Sequence, residues 1–477
     1  MSPAPSTPAP QLAPRDVVRS GLCVGCGSCA AQPGAPWRRM DWDRDGQLQP
    51  AGNRRALGRP DAQLARICPS SPWAVDETRL AQDLWPQAAH LDPLVGRYEG
   101  AYVGAVVEGR FREQGSSGGM VTWVAAELLR RGLVDAVAHV APVADPAADG
   151  RFFRYRLSRT PAELAAGAKS RYYPVELSGV LEQIRATPGR YAVVGIPCFI
   201  KAVQLLRRDD ALVRDRIRFT LGLFCGHMKS ARLLESFAWQ LGVDLADVVG
   251  VDYRLKDPDR PASWYTAQLR LRDGRTVQRD WFHLAEGDWG SGFFQNRACN
   301  ACDDVVAETA DIAFGDAWVE PYTQDGRGTN VVLVRSRELH AVLDEAVAQG
   351  RLALAPADAG FVQRTQAAGL RQRREGLAYR LSWRQGLAAR LLPRRRLQPR
   401  KRVAADAGTL ARPRRLLYRI RAHVSRWSPR VFAVARALRW QALYLGWARG
   451  VVVLYHGLAY SRGRLGEALA RVGWRAS

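Results

Sequence analysis

The sequence lacks, first of all, an export signal. Residues Met1 to Pro14 are rich in Pro, Ala and Ser, with no basic start and no apolar core, so they read as a disordered arm rather than a signal peptide. The chain is therefore expected in the reducing cytoplasm, where its eight cysteines argue for metal binding or redox work rather than disulfides. It also lacks an internal repeat, which excludes solenoids and propellers. A clean membrane span is missing too. The most apolar stretch, residues 440–460, carries Arg449 in its middle and then His456, which favours a helix lying in the membrane interface over one crossing it. Finally, the C-terminal segment lacks acid. From Arg390 onward, 21 Lys and Arg stand against only Asp406 and Glu467. Most of the net charge of +24 thus belongs to a tail, and a nucleic-acid-binding reading of the whole chain is weak.

What is present is ordinary globular material, 47% hydrophobic and 24% charged, in a chain of 477 residues that has room for several units. Residues 98–108 pattern as a strand, Gly115 to Gly119 as a Gly/Ser loop, 120–132 as an apolar-periodic helix and 133–143 as a second strand. A second α/β segment begins near Pro174. Its helices are expected at 175–189, 199–209, 230–242 and 337–350, and its strands at 190–198, 219–227 and 330–336. Residues 249–281 alternate like an antiparallel ribbon. The sum predicts an α/β fold of mixed sheets flanked by helices, followed by a basic helical tail.

Cys23, Cys26 and Cys29 follow one another at two-residue spacing, with Gly25, Gly27 and Ser28 between them. That spacing lets three thiolates converge on corners of one cubane, and the small residues let backbone amides approach the sulfurs. Cys68, followed by Pro69, is the expected fourth ligand, although it lies far downstream. Cys198 and Cys225 end predicted strands, and Cys299 and Cys302 form a close pair, so a second four-cysteine site is expected. Zinc is the rival occupant of both, although it favours paired Cys-x2-Cys knuckles over a triple run. The Ser116, Ser117, Gly118 and Gly119 loop opens a helix and can present amides to a phosphate. Lys169, Ser170, Arg171, Tyr172 and Tyr173 add cations and rings. His227 stands two residues after Cys225, where it can tune a cluster or merely fill space. No acid–base residue stands out.

The segments QGSSGGMVTWVAAELLRRGLVDAV, VVGIPCFIKAVQLLRR, LFCGHMKS, RACNACDD and DIAFGDAW resemble, in that order, the coenzyme F420 hydrogenase/dehydrogenase beta-subunit family. The resemblance covers roughly residues 15–385, and is greatest to members with an N-terminal ferredoxin-like segment, such as 7-hydroxymethyl chlorophyll a reductases. It implies two 4Fe-4S clusters and FAD. Cys198, Cys225, Cys299 and Cys302 would hold the cluster nearest the flavin, and Cys23, Cys26, Cys29 and Cys68 the outer one. Gly315, Asp316, Trp318, Gly328, Thr329 and Asn330 look like the family's turns lining the cofactor. The expected units are a disordered arm (1–14), a ferredoxin-like 4Fe-4S segment (15–80), an α/β flavin-binding domain (95–175), an α/β iron–sulfur/flavin domain (176–388) and the basic tail (389–477).

Three functions follow as expectations. The first is an FAD-dependent iron–sulfur oxidoreductase, taking electrons from a ferredoxin-like donor to a small organic substrate or coenzyme F420. The second is a non-catalytic electron-transfer subunit of a larger oxidoreductase. The third is an accessory protein with structural zinc at the membrane surface, serving polysaccharide biosynthesis. The tail supports an anionic membrane surface as a partner, on the inner face of the membrane.

Overall fold

The computed structural model describes residues 10–37, 39–383, 402–404, 406, 408 and 410–471. Short runs of Val, Ala, Ile and Leu make the central sheet. Its eight strands are β1 (Gly100–Val106), β2 (Ala136–Pro142), β3 (Phe153–Ser158), β4 (Tyr191–Gly195), β5 (Ile217–Leu223), β6 (Ile312–Asp316), β7 (Asn330–Val334) and β8 (Leu352–Ala357). They lie in the order β8-β1-β7-β6-β5-β4-β2-β3. The inner strands β6, β5, β4 and β2 are mutually parallel, and the flanking pairs are antiparallel. β4 and β7 are buried at every residue, as strands covered on both faces must be. Strands from 95–175 and from 176–388 join this one sheet, so the two expected α/β segments share a single scaffold.

Helices cover both faces. Helix α1 (Met120–Arg130) buries Trp123, Val124 and Leu128 against Phe314 and Val332. On the opposite face α2 (Ser178–Ala186) and α3 (Pro197–Asp209) bury Leu181, Ile184, Phe199 and Val203 against Tyr191 and Val193. Helix α3 starts on Pro197, whose fixed φ suits a first turn, and ends with Arg207 and Arg208 beside its negative pole. The ribbon expected at 249–281 is a three-stranded antiparallel sheet of Val248–Leu255, Thr266–Leu271 and Thr276–Asp280.

The ends of the chain differ from expectation. Of the arm expected to be disordered, residues 1–9 lie outside the described residues, whereas Leu12 is buried and pairs with Asp61. Burying Leu12 beside Leu64 and Trp37 gives that segment an apolar reason to settle. The expected boundary at 388–389 also lies outside the described residues. The tail is helical, as α4 (Arg412–Ala437), α5 (Gln441–Tyr460) and α6 (Gly463–Arg471). Its apolar stripe, however, meets protein: Val424, Phe432, Tyr444 and Ala448 join the core under Phe293, Phe294 and Trp281. Each fully buried large side chain contributes about 1.5–3 kcal/mol. Polar contacts fix the register. Ser428 Oγ accepts from the Phe294 amide at 2.8 Å, and Gln441 Nε2 donates to the Trp239 carbonyl at 2.8 Å. Among the described residues no helix is long and apolar enough to cross a membrane.

Candidate functional site

The triple-cysteine turn follows a short helix, Pro14–Arg19. Gly27 has φ +79, and a Cβ there would lie 2.5 Å from Glu176 Oε2, so the backbone wraps where only glycine fits. Cys68 caps the helix Ala62–Ile67 and brings the distant fourth thiol to the other three. Cys23, Cys26 and Cys68 all act electrostatically on Cys29, which burial first and then these neighbours push well above the usual thiol range. Cys198 enters on the first turn of α3, Cys225 follows β5, and Cys299 lies within the 3-10 turn Arg297–Ala301, which Cys302 caps. Burial, then Cys302, Cys225 and Cys299, push Cys198 well up in the same way.

The two sets adjoin. Cys26 and Cys198 pack in one apolar group, and a cavity of about 30 Å³ lies among Val24, Pro69, Cys198 and Cys302. All eight cysteines are free thiols. Burial alone would leave such thiols neutral and inert, whereas a bound metal deprotonates its thiols outright. Two sets of four thiols are the donor chemistry of a cubane. Among the described residues no three His, Cys, Asp or Glu side chains are placed to share a single metal ion. Arg373, only 3% exposed, braces the second set. It donates to the carbonyls of Cys299 at 3.0 Å, Gly226 at 2.5 Å and Cys225 at 3.4 Å.

Beside the second set opens a cavity of about 1100 Å³, above the roughly 300–1,000 Å³ of a usual small-molecule site. It lies at the carboxyl ends of the parallel strands, where Gly195, Leu223 and Asp316 line it, as open α/β sheets dictate. Cys225 lines it too. Of the residues expected from sequence, Ser116, Ser117, Gly119, Lys169, Ser170, Arg171, Tyr172, Asp316 and Asn330 face this space. Gly118, Gly328 and Thr329 stand behind that wall. Ser117 Oγ donates to the Thr329 carbonyl at 3.0 Å, and a Cβ on Gly328 would meet Ser117 Cα at 2.7 Å. Asn330 ties the parts together, accepting from the Met120 amide at 3.2 Å and donating to the Gly315 carbonyl at 3.0 Å.

The basic turn is less free than its sequence suggests. Arg171 donates to the Val251 carbonyl at 3.1 Å and the Ala168 carbonyl at 2.8 Å. Lys169 pairs with Asp252 at 3.1 Å and holds φ 103, a strained value for a residue with a Cβ. Ser170 donates its amide to Ser116 Oγ at 2.8 Å, joining the turn to the Gly/Ser loop. Tyr172 lies 4.8 Å from the Trp289 ring. His227 stacks on Trp289 at 4.4 Å and is 4% exposed. Neither ring nitrogen has a hydrogen-bond partner. Burial first, then Lys229, pull its pKa well down. A neutral imidazole with both nitrogens idle on a cavity wall fits a ligand group that the structure does not contain.

The supports of the site carry no signal of their own in the sequence. Lys256 donates to the carbonyls of Arg112 at 2.5 Å, Ser117 at 2.9 Å and Arg327 at 2.6 Å, clamping the Gly/Ser loop. Arg254 pairs with Asp316 at 3.0 Å and lies over Tyr265 at 4.3 Å. Arg421, Val452, His456, Tyr460 and Arg462 of the tail also line the cavity. No local pattern marks Lys256, Arg254 or Arg421, since their partners lie far away in sequence.

Residues 101–182 match the family model described as coenzyme F420 hydrogenase/dehydrogenase, beta subunit N-term. Residues 189–360 match its companion, which describes the C terminus of the same beta subunit. The coenzyme F420 hydrogenase subunit beta of Methanococcus voltae is 23% identical over 265 residues, covering 54% of this chain and 84% of that protein. A chain in a solved structure of the xenon-derivatised F420-reducing NiFe hydrogenase complex from Methanosarcina barkeri is 17% identical with TM-score 0.47, over 63% of this chain and 97% of that one. The two family matches span the central sheet and stop before the tail. The chain belongs to the coenzyme F420 hydrogenase/dehydrogenase beta-subunit family, a family of electron-transferring oxidoreductase subunits.

Proposed function

We propose that this chain is an iron–sulfur flavoprotein oxidoreductase. It relays electrons from a ferredoxin-like donor, through two 4Fe-4S clusters and FAD, to a small organic substrate or coenzyme F420. The observation that carries this reading is a sequence of neighbours: Cys26 and Cys198 share one apolar cluster and Cys26 acts electrostatically on Cys198, and Cys225 of the same set as Cys198 lines the large cavity. Cys23, Cys26, Cys29 and Cys68 would hold the outer cluster, and Cys198, Cys225, Cys299 and Cys302 the inner one. Ser116, Ser117, Gly119, Lys169 and Ser170 would hold the FAD phosphates at the opening of α1, where amides and the positive helix pole favour an anion. Tyr172, Asp316 and Asn330 would line the rest. When bound, clusters carry single electrons and a flavin exchanges one or two, which joins one-electron carriers to hydride chemistry.

The protein residues have separate tasks. The Met228 amide donates to Cys299 Sγ at 3.3 Å, a contact that steadies a thiolate. Lys256 holds the loop that meets the phosphates. Apolar packing around Cys26 and Cys198 keeps water out. The outward face of α4, α5 and the turn between them exposes Trp427, Leu438, Trp440 and Val453, with Arg426 and Arg430 over Trp427. We assign it to an anionic membrane surface, which predicts flotation with phosphatidylglycerol vesicles and none with phosphatidylcholine alone.

A second reading has one observation in its favour: the Methanococcus relative is named as a subunit. A non-catalytic electron-transfer subunit would need its larger partner to turn over. The discriminating assay supplies cofactor-loaded protein with reduced methyl viologen and an acceptor screen that includes coenzyme F420. Turnover without any second protein is expected. Full flavin content with no turnover on any acceptor would remove the self-contained enzyme and leave the subunit.

A further inference from the structure

The cavity has a second end that the family matches do not reach. They stop at residue 360, yet Arg421, Val452, His456, Tyr460 and Arg462 wall part of the same space. This wall is built rather than draped. Arg421, 9% exposed, donates to the Gly290 carbonyl. His456 Nε2 bonds Asp288 Oδ2 at 2.6 Å. The hydroxyls of Tyr455 and Tyr460 stand over Gly290, at 2.7 and 3.1 Å from where its Cβ would be. The same turn carries Trp289, on which the unpartnered His227 stacks. The tail helices and the loop after Cys225 therefore face one volume.

The charge of that volume is one-sided. Among the described residues eight Lys and Arg, one of them Lys169, which pairs with a carboxylate outside the lining, line the whole cavity against only Asp288 and Asp316. Both acids are occupied, Asp316 by Arg254 at 3.0 Å and Asp288 by His456. By contrast Lys229 meets the Phe293 carbonyl at 2.7 Å, Arg421 a carbonyl and an amide oxygen, and Arg462 the Tyr460 ring at 5.4 Å. Such positive charge, focused between low-dielectric walls, concentrates anions.

We propose that α4, α5 and the turn after α5 supply the acceptor subsite of this oxidoreductase, and that it takes an anionic, ring-bearing organic molecule, with Arg462 and the His456–Asp288 pair as specificity residues. This rests on the flavin reading of the other end of the cavity. The volume exceeds that of a usual single ligand, and His227 with Trp289 offers a hydrogen-bonding group and a ring where the two ends meet.

The test is calorimetric binding to oxidised, cofactor-loaded full-length protein. Anthraquinone-2-sulfonate and its neutral 2-hydroxymethyl analogue are the probes. The parent should bind the sulfonate about tenfold tighter, as one charge-assisted contact provides. His456→Gln with Arg462→Gln should bring that ratio close to one. Arg55→Gln with Arg59→Gln, which alter exposed cations outside the cavity, should leave it intact. A parent with no charge preference, or a His456/Arg462 variant that keeps it, overturns the proposal. So does a variant that loses flavin, because those residues would then hold the flavin itself. A parent that purifies with no flavin at all overturns the underlying flavin reading instead, so the two failures are distinct.

Discussion

Changing Cys302 to serine is expected to remove about four of roughly eight irons per chain and to weaken flavin retention by about tenfold or more. Changing Cys26 to serine should remove a similar amount of iron and leave the flavin in place. The difference arises from which walls each set shares. The inner set is joined to the large cavity by the loop Cys225–Lys229, which the Met228 amide ties to Cys299 Sγ. His227 and Lys229 of that loop line the cavity. Without an inner cluster this loop loses its anchor, and the flavin loses a wall. The outer set reaches the same space only through Val24 and Gly25. Metal analysis and flavin absorbance on the two purified variants make the comparison. Equal flavin loss in both, or unchanged iron in either, contradicts the ligand assignment.

The second large effect is expected at Arg373. Replacing it with methionine leaves the carbonyls of Cys225, Gly226 and Cys299 without their buried donor and removes a cation that interacts electrostatically with all four inner cysteines. Leaving such buried acceptors unsatisfied costs about 1–3 kcal/mol, which a denaturant midpoint will show. The same change should make the inner cluster's reduction potential more negative, because less positive charge stabilises its reduced, more anionic form. Protein-film voltammetry separates the two consequences. A lowered denaturation midpoint with an unmoved potential would mean that Arg373 is only a brace for the backbone.

Much of this site was legible because its signals are local. Two-residue spacing among Cys23, Cys26 and Cys29 is visible at a glance, and Cys198 and Cys225 could be placed because each ends a buried apolar run. The Gly/Ser loop announced itself by sitting between a strand and an apolar-periodic helix. The supports were not legible. Arg373 meets Cys225 across 148 residues, and Lys256 meets Ser117 across 139. An isolated cation in a sequence says nothing about which carbonyls it will find. The tail shows a different limit. Alternating Arg and apolar residues in α4 specify an amphipathic helix, but the same stripe suits lipid or protein. Here Phe432 and Tyr444 found Phe294, so the inner face was settled by tertiary packing and only the outer face remains available to a membrane.

Everything turns on what the two cysteine sets and the large cavity hold. The direct measurement is iron, acid-labile sulfide, zinc and flavin per chain in protein purified without oxygen. About eight iron, about eight sulfide and about one FAD are expected. About two zinc with neither sulfide nor flavin would contradict the account, leaving the same fold as a zinc-stabilised scaffold with no electrons to carry.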